Sequence, residues 1–84
     1  MKHAGPAALE EIDGLLDRLR KLDWLNERSP GTFYRGSRSF LHFHEDPTGV
    51  YADVRLDVEE GFVRVRTTTR VEQDALMRRV REAA

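Results

Sequence analysis

Two hydrophobic periods run along this chain. From about Pro6 to Leu25, the apolar residues Leu9, Ile12, Leu15, Leu16, Leu19 and Leu22 recur at i, i+3, i+4 and i+7. That spacing predicts one helix with a broad apolar stripe. Pro6 suits its first turn. Glu10, Glu11 and Asp13 precede Arg18, Arg20 and Lys21, an order that complements the helix dipole. Ser29-Pro30-Gly31 ends the segment. The period then falls to two. Strands are predicted over Thr32–Arg35, Arg38–Glu45, Val50–Asp57 and Gly61–Thr67. They are joined by turns at Gly36-Ser37, Asp46-Pro47-Thr48-Gly49 and Glu59-Glu60-Gly61. Thr69-Arg70-Val71-Glu72 reads as a capping box that opens a last helix, with Leu76, Met77, Val80 and Ala83 on its apolar side. That stripe is narrow, which predicts less burial than in the first helix.

The short connections favour antiparallel neighbours. The expected fold is α+β in the order α-β-β-β-β-α. It is a four-stranded antiparallel meander with both helices packed on one face, a single domain over residues 1–84 with a flexible stretch at residues 1–5. Register follows from the turn at Asp46–Gly49. Pairing Glu45 with Val50 sets Phe43 opposite Ala52 and Leu41 opposite Val54. Those residues, with Val50, Leu56, Val63 and Val65, then form an apolar face. A one-residue slip would place Asp53 opposite Phe43 and bury charge at a cost of several kcal/mol. In the favoured register the other face carries Phe40, His42, His44, Tyr51, Asp53, Arg55, Asp57, Phe62, Arg64 and Arg66.

Composition narrows the function classes. With 84 residues, 39% hydrophobic and 35% charged, the chain supports a modest core under a charged surface. Fourteen basic and fifteen acidic residues give a net charge of −1, which argues against binding to nucleic acid or anionic lipid driven by bulk charge. The absence of cysteine excludes disulfides, thiol catalysis and thiolate metal sites. No apolar run approaches the length of a membrane span, and the first residues carry no signal-peptide pattern, so a soluble cytoplasmic protein is expected.

The polar sheet face holds the candidate chemistry. His42-Phe43-His44 sets two imidazoles on one side of a strand, ~7 Å apart along the backbone. With Asp53 on the next strand they form a candidate two-histidine, one-carboxylate metal set. The competing reading is hydrogen bonding among neighbours on a polar strand. Arg55, Arg64 and Arg66 with Phe40, Tyr51 and Phe62 suggest a platform for phosphate or stacked bases, as on single-strand RNA binders. Their interleaving with Asp53 and Asp57 favours cross-strand ion pairs instead. Glu45 points to the opposite face, and Asp46 is expected to cap its own turn. Ser39 alternates away from the histidines, which removes a serine triad. The glycines Gly31, Gly36, Gly49 and Gly61 belong to turns rather than to a phosphate loop. Trp24 and Leu25 fall off the helical stripe and are expected against the loop through Pro30.

The run Ser39-Phe40-Leu41-His42-Phe43-His44-Glu45-Asp46, with Ala52-Asp53-Val54, Gly61-Phe62-Val63-Arg64-Val65-Arg66 and a terminal Arg/Leu-rich helix, resembles short bacterial proteins that carry a luciferase-like domain. The resemblance covers about residues 33 to 82 and is specific at Phe-Leu-His-x-His. It implies a compact unit whose His-x-His strand matters. This chain departs from longer members in having only a tight turn between its third and fourth strands.

Aromatic residues on an uncovered sheet face point to something that covers it. The leading expectation is a non-enzymatic interaction module. It would form a homodimer, or bind another protein, through the exposed sheet face or edge. The first alternative is a small-molecule or metal-binding protein using His42, His44, Asp53 and Arg64. The second is a single-stranded nucleic-acid binder. No cofactor motif, catalytic residue set or membrane partner is expected.

Overall fold

The computed structural model of the protein describes residues 1–57 and 59–84. It is an α+β fold built on an antiparallel sheet. In chain order the elements are strand β1 (Lys2–His3), helices α1 (Pro6–Glu11) and α2 (Asp13–Arg20), strands β2 (Asn26–Ser29), β3 (Thr32–Arg35), β4 (Arg38–Asp46), β5 (Gly49–Asp57) and β6 (Gly61–Arg66), and helix α3 (Arg70–Glu82). The sheet runs β2-β3-β4-β5-β6, with β1 paired to β4.

The sheet therefore has six strands among the described residues, where the period-two pattern predicts four. The two additions share one physical cause. Lys2-His3 and Asn26-Glu27-Arg28-Ser29 contain no apolar residue, so neither can show hydrophobic alternation. They are strands by virtue of their backbone hydrogen bonds. Lys2 lies opposite Glu45 and His3 opposite His44, and β1 continues the edge of β4 that β3 leaves at Thr32. The Phe43 backbone joins the two pieces, its N–H donating to Gly31 O at 3.2 Å and its carbonyl accepting from Ala4 N at 3.0 Å. In β2, Glu27 accepts from Arg20 Nε at 2.6 Å, from Arg20 Nη2 at 3.1 Å and from Gly31 N at 3.0 Å, tying the edge strand to α2. Burial works to raise the Glu27 pKa, but these donors outweigh it and hold the carboxyl below its ordinary value.

The single helix predicted over Pro6–Leu25 is two shorter ones. The chain leaves helical geometry at Ile12 (φ −109°, ψ 22°), and α2 ends at Arg20. The apolar stripe survives the break because Ile12 itself is buried, and Leu16 N still donates to Ile12 O at 3.0 Å. The α1 start is held from the sheet. Gly5 N donates to Glu45 Oε2 at 2.6 Å, which gives Glu45 a capping role. At the other end of the chain, Thr69 accepts from Glu72 N at 3.2 Å and Glu72 Oε1 accepts from Thr69 N at 2.9 Å, completing the capping box of α3. Leu76, Met77 and Val80 are fully buried, so the narrow stripe of α3 is sealed as completely as that of α2.

The β4–β5 register is the one that the hydrophobic pattern favours: Glu45 faces Val50, Phe43 faces Ala52 and Leu41 faces Val54. Leu41, Phe43, Val50, Ala52 and Val54 form one hydrophobic cluster with Ile12, Leu15, Leu16 and Leu19 and with Leu76, Met77 and Val80. Leu56, Val63 and Val65 pack against it half-buried. Phe40 departs from its expected place. Phe33 pairs with Leu41 but Tyr34 pairs with Ser39, so β4 spends one extra residue, Phe40, in a bulge. The extra residue interrupts alternation and turns Phe40 into the core. There it is 3% exposed and meets the Trp24 ring edge-on, with centroids 5.5 Å apart. Trp24 consequently belongs against Phe40, with Arg35 over its outer face at 4.8 Å.

Candidate metal centre

The central strands bring His42, His44 and Asp53 together. His42 and Asp53 are direct cross-strand partners, and His44 sits two residues along β4 on the same side. His42 Nδ1 lies 2.7 Å from His44 Nε2, and His44 Nε2 lies 3.2 Å from Asp53 Oδ2. One ligand atom from each residue falls within 4.8 Å of the other two. All three side chains are half-buried, so the cluster is open to solvent on one side and walled by the sheet on the other.

The second layer fixes the carboxylate. Arg64, opposite Asp53 on β6, donates from Nε to Oδ1 at 2.8 Å and from Nη2 to Oδ2 at 3.0 Å. That fork holds the Asp53 plane in place, and the Arg64 hydrogen bonds keep Asp53 ionised below the ordinary carboxylate range against the opposing effect of burial. His42 shifts in the direction a ligand needs. Burial lowers its pKa first, and the neighbouring His44 adds to this against the pull of Asp53, so the imidazole is neutral at pH 7. On its far side the His42 ring meets Phe62 at a centroid distance of 5.0 Å. Phe62 in turn lies under the Arg55 guanidinium at 4.4 Å.

Only one proton fits between His42 Nδ1 and His44 Nε2. In the free protein one ring must donate and the other accept. The other His44 nitrogen, Nδ1, is buried with no hydrogen-bond partner among the described residues. The His44 ring is thus committed through Nε2 alone, the atom that faces His42 and Asp53. A buried polar atom left without a partner is uncommon.

The remaining face residues separate into other roles. Arg66 donates to Glu72 Oε1 at 3.0 Å, to Glu72 Oε2 at 3.1 Å and to Thr48 O at 3.0 Å, linking the β4–β5 turn to the start of α3. Tyr51 joins the same cluster through a 2.7 Å contact with Thr48 Oγ1. Asp46 accepts from Thr48 N at 2.8 Å within that turn. Gly49 is required there, since its φ of 140° and the collision of any Cβ with Thr68 Oγ1 exclude other residues. Asp57 is exposed near the end of β5, with its Oδ1 accepting from Glu59 N at 2.9 Å. Of the residues expected on the exposed face, Phe62 is the one aromatic that stays substantially open, at 39%.

His3 joins this neighbourhood without any signal in the hydrophobic pattern. Its ring stands edge-on to His44, with centroids 6.2 Å apart. A third imidazole reaches the cluster only because β1 pairs with the end of β4, and a two-residue polar strand leaves no period to read. The set resembles the two-histidine, one-carboxylate arrangement that holds divalent transition metals with open coordination positions. Comparison with known proteins returns no matching family model, no matching curated protein and no matching solved structure.

Proposed function

We propose that the protein is a small binding module for a divalent transition-metal ion, held by His42 Nδ1, His44 Nε2 and Asp53 Oδ2. The observation that carries this reading is the 2.7 Å approach of the two imidazole nitrogens beside a carboxylate oxygen. Ligand atoms placed tetrahedrally about 2 Å from zinc stand roughly 3.3 Å apart. The two imidazole nitrogens need to open by about half an ångström, and His44 Nε2 and Asp53 Oδ2 already stand near that spacing. Neutral imidazole and ionised carboxylate are the ligating forms, and the His42 and Asp53 shifts favour both. The shared hydrophobic cluster of helices and sheet supports α1, α2 and α3 lying on the opposite face, which leaves the histidine face open.

Titration calorimetry with Zn²⁺ and Co²⁺ tests the reading. A single site per chain is expected, and His42→Ala or His44→Ala should weaken it by at least about 100-fold. Equal affinity in wild type and in the His42→Ala/His44→Ala double variant would refute it.

A second reading is self-association at the β6 edge, favoured by Phe62, which is 39% exposed on a strand with no outer partner among the described residues. Light scattering should then show a dimer that Phe62→Ser converts to monomer. A monomeric wild type at high concentration removes this reading.

A further inference from the structure

A hollow of about 320 Å³ lies where the start of β4, the end of β5 and the end of α3 meet. Its size falls within the range of small-ligand pockets. Phe40, Leu56 and Ala83 supply apolar wall. Arg35, Arg38 and Arg55 supply three guanidinium groups against one carboxylate, Asp57. The bulge that turns Phe40 inward is what brings an aromatic wall beside this basic cluster.

The three arginines differ in how far they are engaged. Arg35 donates to the last-turn carbonyl of Ala83 at 2.8 Å and covers Trp24. Arg38 makes no ion pair among the described residues. Arg55 stacks on Phe62, yet its Nε is buried and has no hydrogen-bond partner among the described residues. A buried guanidinium nitrogen without an acceptor is costly, and the guanidinium lines the hollow, where its donors suit an oxyanion. Arg35 and Arg38 are direct cross-strand partners at the hairpin, so two like charges are held side by side. An anion on Arg38 lowers the repulsion between the two.

We infer that this hollow binds an organic oxyanion with an apolar body. The anionic head, a carboxylate or a phosphate monoester, is held by Arg38 and Arg55. The body lies against Phe40, Leu56 and Ala83. An inorganic anion alone would leave that apolar wall unused. The inference rests on residues other than the proposed metal ligands and stands or falls separately from them.

Calorimetric titration of the metal-free protein with decanoate, decyl phosphate, methyl decanoate and inorganic phosphate tests this. One of the two decyl anions should bind at one site per chain, and which of them binds better identifies the head group. Methyl decanoate and inorganic phosphate should each bind at least about tenfold more weakly. Arg38→Gln changes an exposed side chain and leaves the fold intact, and it should weaken the anion by about tenfold. Arg55→Gln should do the same, with circular dichroism confirming the fold. Arg70→Gln, at the opposite end of α3 from the hollow, should leave anion affinity unchanged. Equal binding of decanoate, decyl phosphate and methyl decanoate, no binding of either anion, or unaltered affinity in Arg38→Gln would each overturn the assignment.

Discussion

His42 is the residue whose titration matters most for the site. In the folded chain burial lowers its pKa below the ordinary value of about 6.5. The unfolded chain therefore takes up a proton first as the pH falls. Stability is fully present above about pH 6.5 and declines from there down to the lowered folded value. Asp53 is also lowered, chiefly by the Arg64 hydrogen bonds, and its contribution is lost further down, as the pH falls from about 3.9 through the folded value. Denaturant midpoints measured from pH 8 to pH 3 should thus show two declines. His42→Phe should remove the first and keep the second. An unchanged slope between pH 7 and pH 5 in that variant would assign the first decline to another group. Zinc affinity should fall over the same upper range as protons compete for His42.

At the level of elements, the sheet centre was legible in the sequence and its margins were not. Leu41, Phe43, Ala52 and Val54 alternate with His42, His44, Tyr51, Asp53 and Arg55, so a one-residue slip would bury Asp53, and β4 and β5 pair as that pattern demands. His42, His44 and Asp53 inherit their common face from the same alternation. Phe40 could not be placed this way, because a bulge is a count of residues on two strands and the period of one strand does not contain it. β1 and β2 escaped for a related reason, being polar segments held by backbone pairing. Phe40 consequently behaves as core, and Phe40→Ala should destabilise the protein by about 3 kcal/mol in a denaturant titration. A change below about 0.5 kcal/mol, the range of surface substitutions, would return Phe40 to the exposed face. The α3 cap is a milder test. Thr69→Ala should cost about 1 kcal/mol, since it removes the acceptor for Glu72 N while Glu72 keeps its backbone donors.

Across the whole molecule the metal reading couples the site to global stability. The ligands come from β4, the middle strand of the sheet, and its neighbour β5, and Arg64 extends the cluster to β6. An ion bridging these strands binds the folded chain and finds no such geometry in the unfolded one. Free zinc at about 100 times its Kd should then add about 2.7 kcal/mol to unfolding free energy. For a chain of this size that is a rise in Tm on the order of 10 °C or more. The shift should grow with the logarithm of zinc concentration, vanish on chelation, and be absent in His42→Ala. Arg64→Gln separates orientation from ligation. The guanidinium is half-exposed, so its loss leaves the core alone and frees the Asp53 carboxylate to turn. Zinc-free Tm should fall by the loss of the Arg64 hydrogen bonds to Asp53, and the zinc-induced rise should in addition shrink by the equivalent of about a tenfold loss of affinity. If instead the Arg64→Gln protein gains affinity, Arg64 competes with the ion for Asp53 and the site is a pre-formed ion pair that metal must displace.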